Sequence, residues 1–144
     1  MYCNAYAFLY NGLVHETKGK KMTAHTNFEK MAHEIFEFCN ERELWEDVAI
    51  YFNGKALVSW NEWNGELGKK IAANLYEYEG KNPQDVCEYT DPSTLSMTFE
   101  GMLYDVLNDF GYTFPSTYEA FSGIFEKYGY YFEMATSWAL TACE

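Results

Sequence analysis

Asn53-Gly54 separates two apolar runs, Val48-Ala49-Ile50-Tyr51-Phe52 and Lys55-Ala56-Leu57-Val58-Ser59-Trp60. An Asn-Gly pair in that setting takes the positive φ angles of a type I′ turn, so the two runs are expected to fold back as antiparallel strands. The same dipeptide, Asn11-Gly12, stands between Tyr6-Ala7-Phe8-Leu9-Tyr10 and Leu13-Val14-His15-Glu16-Thr17, and predicts a second hairpin. Two copies of a common turn do not establish an internal repeat. They do require a sheet.

Helical periodicity lies between and after these runs. Thr26-Asn27-Phe28-Glu29 has the form of a capping box, followed by Phe28, Met31, Ala32, Ile35 and Cys39 on one face. Leu67, Ile71 and Leu75 recur every four residues and predict a helix over 66–78, closed by Gly80. Asn82-Pro83 and Asp91-Pro92 bracket a loop or a single helical turn. Leu95 to Phe99 alternates as a strand, and a helix over 102–109 turns Leu103, Val106, Leu107 and Phe110 inward. Ser116-Thr117-Tyr118-Glu119 is a second capping box ahead of Phe121, Ile124, Phe125 and Tyr128. Tyr130 to Met134 and Trp138 to Cys143 are strand-like and adjacent. The expected fold class is α+β: a mostly antiparallel sheet of five to seven strands, with three or four helices packed on it.

At 144 residues with 48% hydrophobic content, the chain suits one domain spanning 1–144. Four Trp, 13 Tyr and 11 Phe promise a bulky core. No apolar run approaches the roughly 18 residues of a spanning helix, and the N-terminus has no basic, signal-like start. The expected location is the cytoplasm, of a bacterium or of a host cell receiving the protein. Cys3, Cys39, Cys87 and Cys143 are widely scattered with no C-x-x-C pair, so all four are expected to be reduced, small and buried.

Charge is the extreme feature. Twenty-two acids against ten bases leave a net charge of −12. Residues 82–144 hold ten of the acids and a single base, Lys127. Like charge concentrated in this way opposes folding by self-repulsion. It also argues against direct binding to DNA or RNA, whose phosphates need Lys and Arg.

Motifs for chemistry are sparse. His33-Glu34-Ile35-Phe36-Glu37 begins like a zinc-protease helix, but Glu37 stands where the second histidine is required. His33 with Glu29 or Glu37 remains the one metal-dependent alternative. No nucleophile elbow or P-loop spacing occurs, Gly65-Glu66-Leu67-Gly68-Lys69-Lys70 included. Glu62 with Glu66, and Asp105 with Asp109, are carboxylate pairs at i, i+4 with nothing to indicate a sugar cleft. No cofactor, metal or catalytic residue is therefore expected.

The remaining signal is acidic and aromatic together. Glu77, Glu79, Asp85, Glu88, Asp91, Asp105 and Asp109 fall close in sequence, interleaved with Tyr78, Tyr89 and Tyr104. A rigid array of carboxylates can imitate a phosphate backbone and occupy a basic groove, with tyrosines adding flat contact area. The same composition also suits a solvated surface over an aromatic core.

The stretch from Asn82-Pro83 and Asp85 through Asp91-Pro92, Thr94 to Gly101, Leu103-Tyr104 and Leu107-Asn108 resembles small uncharacterised acidic proteins of bacterial mobile elements and phages. That resemblance implies a setting in which small acidic proteins often antagonise host defence, as anti-restriction or anti-CRISPR inhibitors. The expected function is a non-enzymatic inhibitor, acting as a DNA mimic on the basic surface of a defence nuclease. The alternatives are a small metal-dependent enzyme and a structural or assembly protein, for which a dimer is conceivable.

Overall fold

The structure, a computed structural model, describes residues 17–61, 69–72, 74–109 and 111–144, with backbone only over 17–24 and 69–72. The hairpin expected at Asn11-Gly12 lies outside the described residues, as do Leu67, Phe110 and the carboxylate pair at Glu62 and Glu66.

The chain runs α1 (Thr17–Glu41), β1 (Val48–Phe52), β2 (Lys55–Val58), β3 (Lys69–Ala72), β4 (Leu75–Glu79), a 3-10 turn (Pro83–Asp85), β5 (Ser96–Phe99), α2 (Met102–Asn108), α3 (Pro115–Lys127), β6 (Tyr131–Thr136) and β7 (Ala139–Cys143). Seven strands form one sheet in the order β3-β4-β2-β1-β5-β7-β6, and every neighbouring pair is antiparallel. This is the α+β architecture that the sequence predicts. Asn53 (φ 51°) and Gly54 (φ 76°) make the β1–β2 turn through the left-handed angles expected of the pair.

Alternation along each strand divides the sheet into two faces. Val48, Ile50, Phe52, Leu57, Leu75, Met97, Phe99, Leu140 and Ala142 join the main core with Met31, Ile35, Leu103, Phe121 and Phe125 from the helices. Phe121, Phe125 and Phe132 pack with ring centroids 5.3–5.4 Å apart, a geometry that adds to simple burial. The other face carries Ala49, Tyr51, Ala56, Val58 and Tyr78, with Ser96 and Thr141 hydrogen-bonded to each other at 2.9 Å.

Local signals were overridden in three places. First, α1 begins at Thr17 rather than at the Thr26 capping box. A cap preference of about 1 kcal/mol does not stop a helix whose preceding residues also continue it. Second, 66–78 is not a helix where it is described. It is the β3–β4 hairpin, turned by Asn74 at φ 63°, because Leu75 and Tyr78 alternate onto opposite faces while β4 completes the ladder of β2. Third, α3 opens at Pro115 with Phe114 as N-cap and no side-chain cap. Proline at the first helical position is already set at the helical φ, so the Ser116 box is not needed.

Cys39 and Cys87 are buried free thiols, as expected. Burial pushes Cys39 up to about 12, which makes it inert as a nucleophile. Cys143 departs from the expectation of reduced cysteines: it is disulfide-bonded.

Candidate partner-binding surface

The ten residues expected to form one acidic, tyrosine-rich face are distributed by the fold. Glu77 lies on the helix side of β4, where its carboxylate holds Lys55 Nζ at 2.9 Å. Lys55 is also 3.1 Å from Glu29 Oε1. Burial opposes its charge, and the hydrogen bonds and charges of Glu77 and Glu29 more than offset that, holding its pKa above the ordinary lysine value. Glu77 is therefore a structural partner. Tyr78 is 3% exposed and donates to Asn61 Oδ1 at 3.0 Å, so it is no surface anchor. Tyr104 is partly buried against the core. Tyr78 is turned inward by the alternation of β4, and Tyr104 by its position on α2.

The others fall into two groups. Glu79, Asp85, Glu88, Asp91 and Tyr89 surround the loop between β4 and β5, at the end of the sheet that carries the Asn53-Gly54 turn. Asp91 spends one carboxylate oxygen on its own loop, accepting from Ser93 N at 2.9 Å and Ser93 Oγ at 2.6 Å. Asp105 and Asp109 lie on α2 and at its C-terminal end, at the opposite end of the sheet. Five residues of β1 separate the two ends, about 17 Å at roughly 3.3 Å per residue.

At the α2 end the fold assembles a group that the sequence does not show as one. The α1–β1 loop and the β5–α2 junction meet there: Glu100 N–H donates to the Asp47 carbonyl at 3.2 Å. A Cβ at Gly101 would lie 2.5 Å from the Glu46 carbonyl oxygen, so this contact requires glycine. Glu43 and Asp47 hold left-handed φ angles of 58° and 54°; for Glu43 that stores strain of order 1 kcal/mol. From this junction α2 crosses the end of the sheet to the β6–β7 turn. There Asn108 Nδ2 donates to the Ser137 carbonyl at 2.7 Å, and Phe99 N–H to the Trp138 carbonyl at 2.9 Å. Leu103, Val106 and Leu107 turn into the core, leaving Met102, Asp105 and Asp109 on the outward side.

The carboxylates at this end of the sheet, called the strip below, are Glu46, Asp47 and Glu100 at the meeting point, Glu43 earlier on the loop and Asp105 on α2, all exposed, with Asp109 partly so. Met102, 45% exposed, sits among them. Asp109 is held below the ordinary carboxylate range, first by the Thr113 side chain, against a desolvation that raises it, and then by the backbone amides of Thr113, Gly111 and Tyr112. It stays ionised and fixes the loop that presents Tyr112, 92% exposed, and Phe114, 39% exposed. Arg42, beside the strip in sequence, stacks over Phe38 at 4.0 Å and lies 3.8 Å from Glu41.

His33 Nε2 lies 3.9 Å from Glu29 Oε1, the oxygen that Lys55 already engages. Glu37 is exposed one turn further along α1. Among the described residues, no group of three or more His, Cys, Asp or Glu side chains is placed to hold a metal ion, and no helix is long and apolar enough to cross a membrane. Comparison with protein-family profiles, with curated proteins and with solved structures finds no match.

Proposed function

We propose that this chain is a non-enzymatic interaction protein of the anti-restriction or anti-CRISPR kind. In this reading the carboxylate strip at the α2 end docks on the basic, nucleic-acid-binding surface of a defence nuclease. The observation that carries the reading is the convergence of two loops that brings Glu46 and Asp47 against Glu100 and Gly101, with Glu43 earlier on the same loop and Asp105 on the outward side of the helix that follows. The backbone at the meeting point is held by a hydrogen bond and a glycine contact, so the loops that carry the charges need not fold on binding. A fixed carboxylate array competes for the same Arg and Lys side chains that a phosphate backbone would engage. Met102 and Tyr112 offer apolar contact within and beside the charge, which suits a protein interface better than a purely solvating surface.

The test uses purified restriction and CRISPR effector nucleases loaded with a labelled DNA duplex. The protein is expected to displace the duplex from at least one of them, with a potency that falls steeply between roughly 0.05 and 0.5 M salt. Displacement that ignores salt rules out charge mimicry.

A further inference from the structure

The described helices cover one face of the sheet. Every buried residue of α1, α2 and α3 belongs to the main core. The cluster on the opposite face consists of strand residues: Ala49, Tyr51, Ala56, Val58 and Tyr78. Pairing puts Ser96, Thr98, Ala139 and Thr141 on that face as well, and alternation along β7 adds Cys143. Yet Ala49, Ser96, Ala139 and Thr141 have no exposed surface, and Val58, Thr98 and Cys143 are buried too. An alanine methyl stands too close to the backbone to be hidden by lateral neighbours alone. The β4–β5 loop reaches this face beside Tyr51 and Ser96, at the end with the Asn53-Gly54 turn; Ala49, Val58 and Ala139 lie toward the other end. A sheet buried on both faces needs a layer on each.

The cysteines point to the chain that forms this layer. There are four in the sequence; Cys39 and Cys87 are free thiols, and Cys143 is disulfide-bonded. Within one chain that leaves Cys3 as its partner. Cys143 follows Thr141 toward the end of the sheet with the Asn53-Gly54 turn. α1 starts at that same end, where Asn53 Nδ2 donates to the His25 carbonyl at 2.8 Å. A segment anchored at Cys3 and at Thr17 has to run out over the face and return, as two five-residue legs joined by Asn11-Gly12 do. Each leg spans about 17 Å at roughly 3.3 Å per residue, the length of the five-residue β1. Met1 to His15 contains no Asp, Glu, Lys or Arg in a chain of net charge −12, which suits it to burial. We infer that residues 1–16 lie as a hairpin across the second face of the sheet, fastened by a disulfide between Cys3 and Cys143. A dithiol releases the fastening: two electrons and two protons pass to the bond, giving two cysteine thiols and the oxidised, cyclic dithiol. The covalent hold therefore depends on the redox state of the compartment. Nothing in this inference rests on the carboxylate strip.

Proteolysis of the alkylated, unreduced full chain, followed by mass spectrometry, is expected to yield one linked peptide pair containing Cys3 and Cys143. Alkylation of both cysteines, or a Cys143–Cys143 link between two copies, would overturn the pairing. In NOE spectra of the same protein, the Ala49, Val58 and Ala139 methyls are expected to contact Phe8, Leu9, Leu13 or Val14. Contacts to residues 62–68 in their place, or to neither segment, would overturn the occupant. Dithiothreitol should lower the Tm by roughly 5–15 °C. Cys3→Ser should show the lower Tm without reductant and no further fall with it. A Tm that ignores both would overturn the fastening, and if Cys3→Ser fails to fold, the peptide map and the NOEs of the wild type still decide.

Discussion

Gly101 shows how one residue sets the geometry of a surface. Its backbone approaches the Glu46 carbonyl so closely that any side chain must push the two loops apart. Gly101→Ala is expected to destabilise the fold by about 1–3 kcal/mol, as overpacking does, measured by denaturant unfolding. Glu34 is a second informative residue. Its Oε1 accepts from Lys127 Nζ at 2.7 Å and from the Tyr128 hydroxyl at 2.5 Å, joining α1 to the end of α3. These bonds lower the Glu34 pKa, while burial and then the bond to Glu34 push Tyr128 up to about 12. A carboxyl whose pKa is lower in the folded state stabilises the fold above its unfolded value, and that stabilisation is lost as pH falls through the folded value. Glu34 is partly solvated, so the effect is under about 1 kcal/mol. Unfolding of wild type and Glu34→Gln should differ at neutral pH and converge as the solution is acidified below the ordinary glutamate range. A gap that persists at acid pH would assign the role of Glu34 to packing.

Among elements, those announced by turn chemistry and strong periodicity were legible: the β1–β2 hairpin, the inward face of α2, and the pairing of β6 with β7. The β3–β4 hairpin was not. Leu67, Ile71 and Leu75 recur every four residues, which puts them on one helix face, but an even spacing fits one face of a strand just as well. The arbiter was the open edge of β2, which no local signal reveals. Asn74 carries the difference. At φ 63° it tolerates a conformation that a β-branched residue does not. Asn74→Val is expected to cost about 1–3 kcal/mol in the hairpin, whereas the same change in an exposed helix would be nearly neutral. Unfolding of this variant distinguishes the two.

At the scale of the whole molecule, charge counted along the chain was a poor guide to charge in space. The count placed the surplus in residues 82–144 and grouped Asp85 with Asp105, but the sheet separates them by the length of β1. It passed over Glu46 and Asp47, which lie in the better-balanced half and meet Glu100 and Gly101 where the β1–β5 ladder ends. Tyrosines interleaved with acids in sequence were split by the fold, with Tyr78 inside on β4 and Tyr89, 44% exposed, in the β4–β5 loop. The sign of the surface was legible. Its location was not, because that depends on which loops the sheet brings together.

The most direct measurement compares two triple variants that change net charge equally. One reverses the strip, with Glu46→Lys, Asp47→Lys and Asp105→Lys. The other reverses exposed carboxylates on the helices, with Glu37→Lys, Glu119→Lys and Glu126→Lys. Both are assayed for displacement of duplex from a nuclease that the wild type inhibits. Loss of at least about tenfold in potency for the strip variant alone, with a flatter salt dependence, is the predicted result; equal loss in both, or none in either, would contradict a localised acidic interface.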